Sequence, residues 1–162
     1  TVIYMCIHSE EGAMGMIINR PFNRAALTTL LKQLDINAEE ISSEVNILSG
    51  GPVEADRGFV LHTNEYAHES TVKIDSKVSL TATVDVLGEI GSGKGPNKCL
   101  VVLGYSGWGA GQLDNEIKGN GWLHVEGDVD LLFNGNPNEK WEQAMRRIGV
   151  DPLMLSGDLG NA

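Results

Sequence analysis

Ser106 stands in Gly-Tyr-Ser-Gly-Trp, which is close to the G-x-S-x-G pattern of a nucleophilic serine. In such a hydrolase, His62 is the candidate general base that activates the serine. Asp85 or Glu116 is the candidate acid that orients this histidine. The pattern is one residue short, because Gly107 follows Ser106 directly, and no local spacing links these residues. We interpret Ser106 as a structural serine and keep a small-molecule hydrolase at the glycine-rich loop as an alternative.

Two glycine-rich stretches are close to nucleotide-binding loops. Gly88 to Gly95 has glycine where a phosphate-binding loop needs the hydroxyl that holds magnesium. The glycines from Gly104 to Gly111 do not have the spacing of a dinucleotide-binding loop. A small anion or amide ligand at the start of the following helix remains an alternative. Cys6 and His8 are too few for a zinc site. We therefore expect no cofactor and no metal.

Polar and glycine residues follow three predicted strands, and glycine-rich strand ends commonly carry binding sites. Glu116 is a natural partner for Arg20 or Arg57, and Trp108 a lid over the ligand. The alternative is that these residues only brace turns. The predicted concavity is lined by ten residues, which are Asn19, Arg20, Gly50, Gly51, Arg57, His62, Tyr105, Trp108, Gln112 and Glu116.

The chain is organised around Cys99 to Leu123. An apolar run from Cys99 to Leu103 predicts a strand buried on both faces, followed by a glycine-rich loop. Gln112 to Lys118 is predicted to be a helix that ends at Gly119, with Gln112 and Glu116 on one face of it. Trp122 to Val125 and Val129 to Phe133 are strand-like.

The remaining elements are predicted from local patterns. Two apolar runs, one on each side of the turn from Ser9 to Gly12, predict an antiparallel hairpin of buried strands. Asp56 to Gly58 is predicted to be a second turn. Helices are predicted at the leucine spacing 27, 30, 31 and 34, after Thr81 or Thr83, and after the Asn136 cap. Other strands are expected at Val45 to Leu48 and at Phe59 to Leu61. Around Val72 to Leu80, alternating apolar and polar residues predict strands with one buried and one solvent-exposed face.

Composition limits the class of protein. The 162 residues predict a single domain, and the net charge of −10 argues against a nucleic-acid surface. No stretch is long and apolar enough for a membrane span, and the two cysteines are expected to be reduced thiols. We expect a cytoplasmic protein.

Three long motifs together resemble the AlgH/YqgE-like family of small bacterial proteins. They are HSEEGAMGMIINRP from His8, GGPVEADRGFVLH from Gly50 and LGYSGWGAGQLDNEIKGNGWL from Leu103. The resemblance implies an α+β fold, with a largely antiparallel bifurcated sheet that includes a small closed barrel and about four surrounding helices. It also implies that one strand precedes the position of Thr1, so that residues 1–162 are one domain lacking its N-terminal strand.

The family's biochemical function is not established, although some members are labelled transcriptional regulators. We therefore expect a regulatory module that binds an unknown small molecule or protein, without direct DNA or membrane contact. The hydrolase and a purely scaffolding protein are the alternatives.

Overall fold

The computed structural model describes residues 1–23, 29, 47–83 and 85–151. Its strands are β1 (Ile3–Ser9), β2 (Gly12–Ile17), β3 (Ile47–Ser49), β4 (Val53–Thr63), β5 (Thr71–Lys73), β6 (Val78–Thr81) and β7 (Cys99–Gly109). Its helices are α1 (Asp85–Gly91), α2 (Gln112–Lys118), α3 (Val129–Phe133), a 3₁₀ turn (Pro137–Glu139) and α4 (Lys140–Arg147). No helix in this part of the chain is long and apolar enough to cross a bilayer.

Strand β7 is the centre of the sheet, whose strand order is β1-β2-β7-β4-β6-β5. The first half of β7 pairs with β4 antiparallel and with β3 parallel, whereas Ser106 to Gly109 pair antiparallel with β2. Strands β2 and β3 therefore diverge from β7, which is the bifurcation. The predicted burial of the apolar half of β7 is confirmed, since Leu100 to Leu103 are all at most 4% exposed.

The sheet is curled into a half-barrel, so its two ends approach each other. The Tyr4 hydroxyl of β1 donates to the Asp75 carboxylate, between β5 and β6, at 3.0 Å. One core lies on the face that carries Met16, Leu61 and Val102, and a smaller core packs α1 against Val60 and Val101 on the other face. The α+β fold with its largely antiparallel sheet is confirmed, with four α-helices in the described part of the chain.

Local signals placed several elements correctly. The hairpin of β1 and β2 is confirmed, as is α2, whose C-cap is Gly119. Thr83 Oγ1 accepts from the Asp85 backbone N–H at the start of α1, and the Asn136 side chain caps the 3₁₀ turn that leads into α4. Side-chain oxygens in these positions satisfy N–H groups that a first helical turn leaves unpaired.

Several other predictions are wrong. The glycine-rich loop is instead the second half of β7, and Asp56 to Gly58 lie inside β4 at an irregularity of its pairing. Residues 122–125 join no strand pair, and Val129–Phe133 is a helix because Asp128 caps it by accepting from the Leu131 N–H at 2.7 Å.

Burial also differs from the patterns. Strand β6 is buried at all four positions, so it has no wet face, whereas Ile7 of β1 is 53% exposed although both hairpin strands were predicted to be covered. The predicted leucine helix and the residues after Asp151 lie outside the described residues.

Candidate functional site

Two tryptophans converge on one carboxylate where β7 leads into α2. Glu116 Oε2 accepts from Trp108 Nε1 at 3.0 Å and from Trp122 Nε1 at 2.7 Å, while Gln112 Nε2 donates to Glu116 Oε1 at 2.9 Å. The two indole rings meet edge to face with centroids 6.1 Å apart. We call Trp108, Gln112, Glu116 and Trp122 the tryptophan cluster.

Local backbone geometry builds this cluster. Gly111 has φ +69°, which lets the chain turn from β7 into α2, and Gln112 Oε1 accepts from the Gly109 N–H at 3.1 Å. Gln112 and Glu116 are four residues apart, so they share a helix face as predicted. Trp122 was missed from sequence, because only the turn through Gly119 and Gly121, whose N–H bonds to Glu116 O, brings it back to α2.

The three donors favour the charged form of Glu116. The hydrogen bonds from Trp122, Gln112 and Trp108 hold the pKa of this carboxyl below its ordinary value of 4.5. The charge is thus satisfied by neutral donors within the cluster. The predicted pairing of Glu116 with Arg57 is wrong, since Arg57 pairs with Glu54 at 3.0 Å. Among the described residues, Glu116 forms no ion pair with Arg20 either.

Replacing Glu116 with glutamine should change the environment of two of the three tryptophans. The neutral amide is a weaker acceptor than a carboxylate, so the indole N–H resonances of Trp108 and Trp122 should move upfield in a ¹H–¹⁵N spectrum. Trp141 does not bond to Glu116 and is the internal control. In the parent, the hydrogen bonds hold the pKa of Glu116 below 4.5, so both resonances should titrate together with a midpoint below pH 4.5. Two unmoved resonances in the variant would contradict the cluster.

A second group of predicted residues lies at the sheet bifurcation. The Gly50 carbonyl accepts from the Ile17 N–H at 2.9 Å and from Ser106 Oγ at 3.2 Å, and the Gly50 N–H donates to Leu103 O. The Ser49 N–H donates to Arg20 O at 2.8 Å, and Asn19 Oδ1 accepts from the Val2 N–H at 2.7 Å. Gly50 and Gly51 are both buried. These contacts brace the point where β2 and β3 leave β7.

Arg57 lies away from both of these groups. It lines a concave pocket of about 520 Å³ beside the irregular part of β4. Its guanidinium lies 5.2 Å from the Phe59 ring centroid, and Phe59 meets Tyr105 edge to face at 5.9 Å. The pocket is lined by Glu54, Ala55, Asp56, Arg57, Gly58, Ala82 and Thr83. Of the ten predicted site residues, only Arg57 lines this pocket. Tyr105 does not line it but packs against Phe59, the ring that the Arg57 guanidinium approaches.

His62 cannot line a concavity, because its side chain is fully buried. Its Nδ1 lies 2.9 Å from Thr63 O, which requires a proton on Nδ1, and its Nε2 lies 2.7 Å from the Thr81 hydroxyl oxygen. Neither Ser106, bonded to Gly50 O, nor Asp85, which accepts from the Thr83 hydroxyl, bonds to His62. The hydrolase constellation considered from sequence is therefore not assembled.

The described residues contain no group of three or more His, Cys, Asp or Glu side chains arranged to hold a metal ion. Cys6 and Cys99 are free, and burial raises the pKa of the Cys6 thiol to about 12. A neutral buried thiol is a poor nucleophile and a poor metal ligand.

A family model described as AlgH-like matches residues 1–153. This chain belongs to the AlgH-like family. A UPF0301 protein of Methylocella silvestris is 49% identical over the whole chain, which covers 82% of that protein, and one of Rhodospirillum rubrum is 48% identical, with 84% covered.

The AlgH-like fold is also found among solved structures. The solution structure of the AlgH protein from Pseudomonas aeruginosa has a TM-score of 0.78 and 39% identity, over 99% of this chain and 85% of that one. The crystal structure of protein DIP2367 from Corynebacterium diphtheriae has a TM-score of 0.69 at 16% identity, over 90% and 76% of the two chains, and shares the fold.

Proposed function

We propose that this AlgH-like protein is a cytoplasmic protein-binding module with a regulatory role, and that the tryptophan cluster is the centre of its contact surface. The observation that supports this is a half-buried pair of tryptophans held on the surface by one carboxylate. Tryptophan is among the residues enriched where protein interfaces concentrate their binding energy.

Exposed aliphatic side chains flank the cluster. Ile117 follows Glu116 and is 40% exposed, and Leu123 follows Trp122 and is 60% exposed. Isolated exposed aliphatics are ordinary, but these two each directly follow a residue of the tryptophan cluster in the sequence. Because the side chains are already fixed by hydrogen bonds, a partner would bind without paying the entropy of ordering them.

Leu123→Asp should abolish capture of the partner, because a charge at an apolar contact is left unpaired in the complex. The matched control is Val72→Asp, since Val72 is 59% exposed at the edge strand β5. Crosslinked partners would be quantified by mass spectrometry from cells carrying each variant. A partner recovered with the parent and Val72→Asp proteins but reduced about tenfold or more with Leu123→Asp supports the proposal. Equal recovery with all three proteins would rule out this surface.

A regulatory role would then be exerted through another protein. The net charge of −10 opposes the phosphate backbone, so we expect no binding to duplex DNA tighter than about 10⁻⁴ to 10⁻⁶ M at physiological salt. Fluorescence anisotropy with the pure protein measures this directly. Nanomolar binding that depends on sequence would contradict it.

A second candidate function is small-molecule binding at the Arg57 pocket, which the 520 Å³ concavity favours over a purely scaffolding role. A ligand at 100 times its Kd should add about 2.7 kcal/mol to the free energy of unfolding. In a thermal-shift screen of metabolites, a hit that is lost in Arg57→Ala but kept in Leu123→Asp would assign the ligand to this pocket.

A further inference from the structure

The two rings of the tryptophan cluster form a corner. Trp108 Nε1 and Trp122 Nε1 both donate to Glu116 Oε2, at 3.0 Å and 2.7 Å. An indole N–H lies in the plane of its ring, so both ring planes pass near this one oxygen atom. The rings stand 82° apart. The two planes therefore meet at close to a right angle, with ring faces as the walls of the corner and a carboxylate at its apex.

The walls of this corner attract positive charge. The face of an aromatic ring is the negative part of its quadrupole, and tryptophan attracts cations more strongly than tyrosine or phenylalanine does. The edge-to-face contact between the two rings, with centroids 6.1 Å apart, uses one face of one ring. Trp108, Trp122 and Glu116 are all half-buried, so each keeps part of its surface in contact with solvent.

The carboxylate at the apex is fixed in place but keeps its charge. Its donors are two indoles and one amide, which are neutral groups, so the hydrogen bonds orient Glu116 without cancelling its negative charge. They also hold its pKa below 4.5, so the group is ionised at neutral pH. A carboxylate has about four acceptor positions, of which these bonds use three. A cation in the corner would gain the attraction of the ring faces and of this charge together.

The charge of the whole chain and the shape of the corner select the source of the cation. The net charge of −10 attracts a basic partner and opposes association with a second copy of this chain. A corner of two walls leaves a small free cation partly in water, and that cation would bear the whole entropy cost of binding. A cation carried by a protein shares this cost with the contacts around it. Ile117 and Leu123, which are 40% and 60% exposed, offer such contacts.

We propose that the corner of the tryptophan cluster binds a lysine or arginine side chain of the partner protein. This inference rests on the proposed function and specifies what the partner presents to this surface. The ammonium or guanidinium group lies against the ring faces of Trp108 and Trp122 and donates a hydrogen bond to Glu116. Apolar residues of the partner beside this cation lie against Ile117 and Leu123.

Two capped tripeptides, alanine-lysine-alanine and alanine-arginine-alanine, are the probes. The matched control is the lysine peptide with its side chain acetylated, because acetylation removes the charge. Binding is followed by the indole N–H resonances of Trp108 and Trp122 in ¹H–¹⁵N spectra, with Trp141 of α4 as the internal control. At least one basic peptide should shift both resonances saturably and bind about fivefold or more tightly than the acetylated peptide. Equal binding of charged and acetylated peptides, or no shift with either basic peptide, would overturn the proposal.

Variants of Trp122 test the aromatic wall. Trp122→Leu replaces the ring with an apolar side chain that has no quadrupole, so the basic peptide should bind about fivefold or more weakly, as read on the Trp108 resonance. Trp122→Phe keeps an aromatic face and should lose less. Trp141→Leu makes the same substitution outside the cluster and should keep the affinity of the parent. Equal losses in the leucine and phenylalanine variants of Trp122 would show that the ring face does not bind the cation.

Variants of two carboxylates on α2 test the apex. Glu116→Gln keeps the shape of the side chain and removes its charge, so it should reduce the preference for the charged over the acetylated peptide. The matched control is Asp114→Asn, which makes the same change of charge two residues away, where the carboxylate contacts His8 at 3.3 Å. It should keep the preference of the parent. Equal losses in the two variants would mean that the peptide responds only to the net charge, which would overturn the site.

The remaining outcomes separate the source of the cation and the two proposals. Tetramethylammonium that binds about tenfold or more tightly than the basic peptides would indicate a site for a small free cation and would overturn the partner's side chain. A partner whose capture falls with Leu123→Asp but not with Glu116→Gln would support the proposed function and overturn the basic side chain. Equal capture with Leu123→Asp and the parent overturns the proposed contact surface, whatever the peptides do.

Discussion

Replacing Gly51 with alanine should lower the free energy of unfolding by about 3 kcal/mol or more, or prevent folding. Gly51 has φ +154°, and a Cβ there would lie 2.2 Å from the Tyr105 carbonyl carbon and 2.3 Å from its oxygen. These are backbone atoms of β7, which is paired on both sides, so they cannot move without breaking the sheet at its bifurcation. Urea denaturation followed by circular dichroism measures the loss.

The matched control is Gly88→Ala in α1, where a Cβ would meet nothing within 4 Å. Alanine is the better helix former, so this variant should gain about 0.5–1 kcal/mol. A Gly51→Ala protein within about 1 kcal/mol of the parent would contradict close packing at the bifurcation. It would also restore Gly51 as a backbone position open to a ligand, as sequence suggested.

Lys140→Ala should cost about 3–5 kcal/mol of stability, because it removes the donor for three carbonyls at once. Lys140 is 1% exposed, and its Nζ donates to Leu131 O at 2.7 Å, Leu132 O at 2.9 Å and Asn134 O at 2.9 Å. These groups end α3, where unpaired carbonyls carry partial negative charge. The ammonium thereby ties α3 to α4.

Two controls separate the charge from the packing of the stem. Lys140→Met keeps an apolar side chain of similar length and should lose less than the alanine variant. Lys118→Ala, at an exposed position of α2, should stay within about 0.5 kcal/mol of the parent. Burial lowers the Lys140 pKa from 10.5, so the unfolded chain binds more protons between the folded pKa and 10.5.

The Lys140 contribution should therefore rise with pH across that window and be absent from Lys140→Met. Denaturation of both proteins at several alkaline pH values measures the difference. A loss under about 1 kcal/mol in Lys140→Ala would mean that water replaces the ammonium and that the site is not closed.

The buried face of α4 shows where sequence reasoning reached its limit. The spacing of the apolar residues Trp141, Ala144, Met145 and Ile148 predicts that they form the buried face of this helix. Ala144 and Met145 are buried as predicted, whereas Trp141 and Ile148 are only half-buried and Lys140 is buried instead. Hydropathy assigns lysine to solvent, and only the position of the last carbonyls of α3 gives a buried ammonium its hydrogen-bond acceptors.

The ten predicted site residues illustrate the same limit. Gln112 and Glu116 were correctly placed on one helix face, because four residues separate them. Arg57, His62 and the glycine pair share a short stretch of sequence but lie in three environments, a pocket, a core and the sheet bifurcation. Adjacent residues of a strand face opposite sides of the sheet, so closeness along the chain does not imply a shared surface.

The sequence by itself determined the family, the net charge of −10, the β1–β2 hairpin and the ends of α2, since caps and turns depend on groups a few residues apart. Tertiary structure alone decided that the glycine-rich stretch continues β7, because glycines form a strand only when a partner such as β2 satisfies their backbone. It also decided that Trp122 joins Trp108 on Glu116. Strand pairing depends on residues far apart in sequence, which no local pattern encodes.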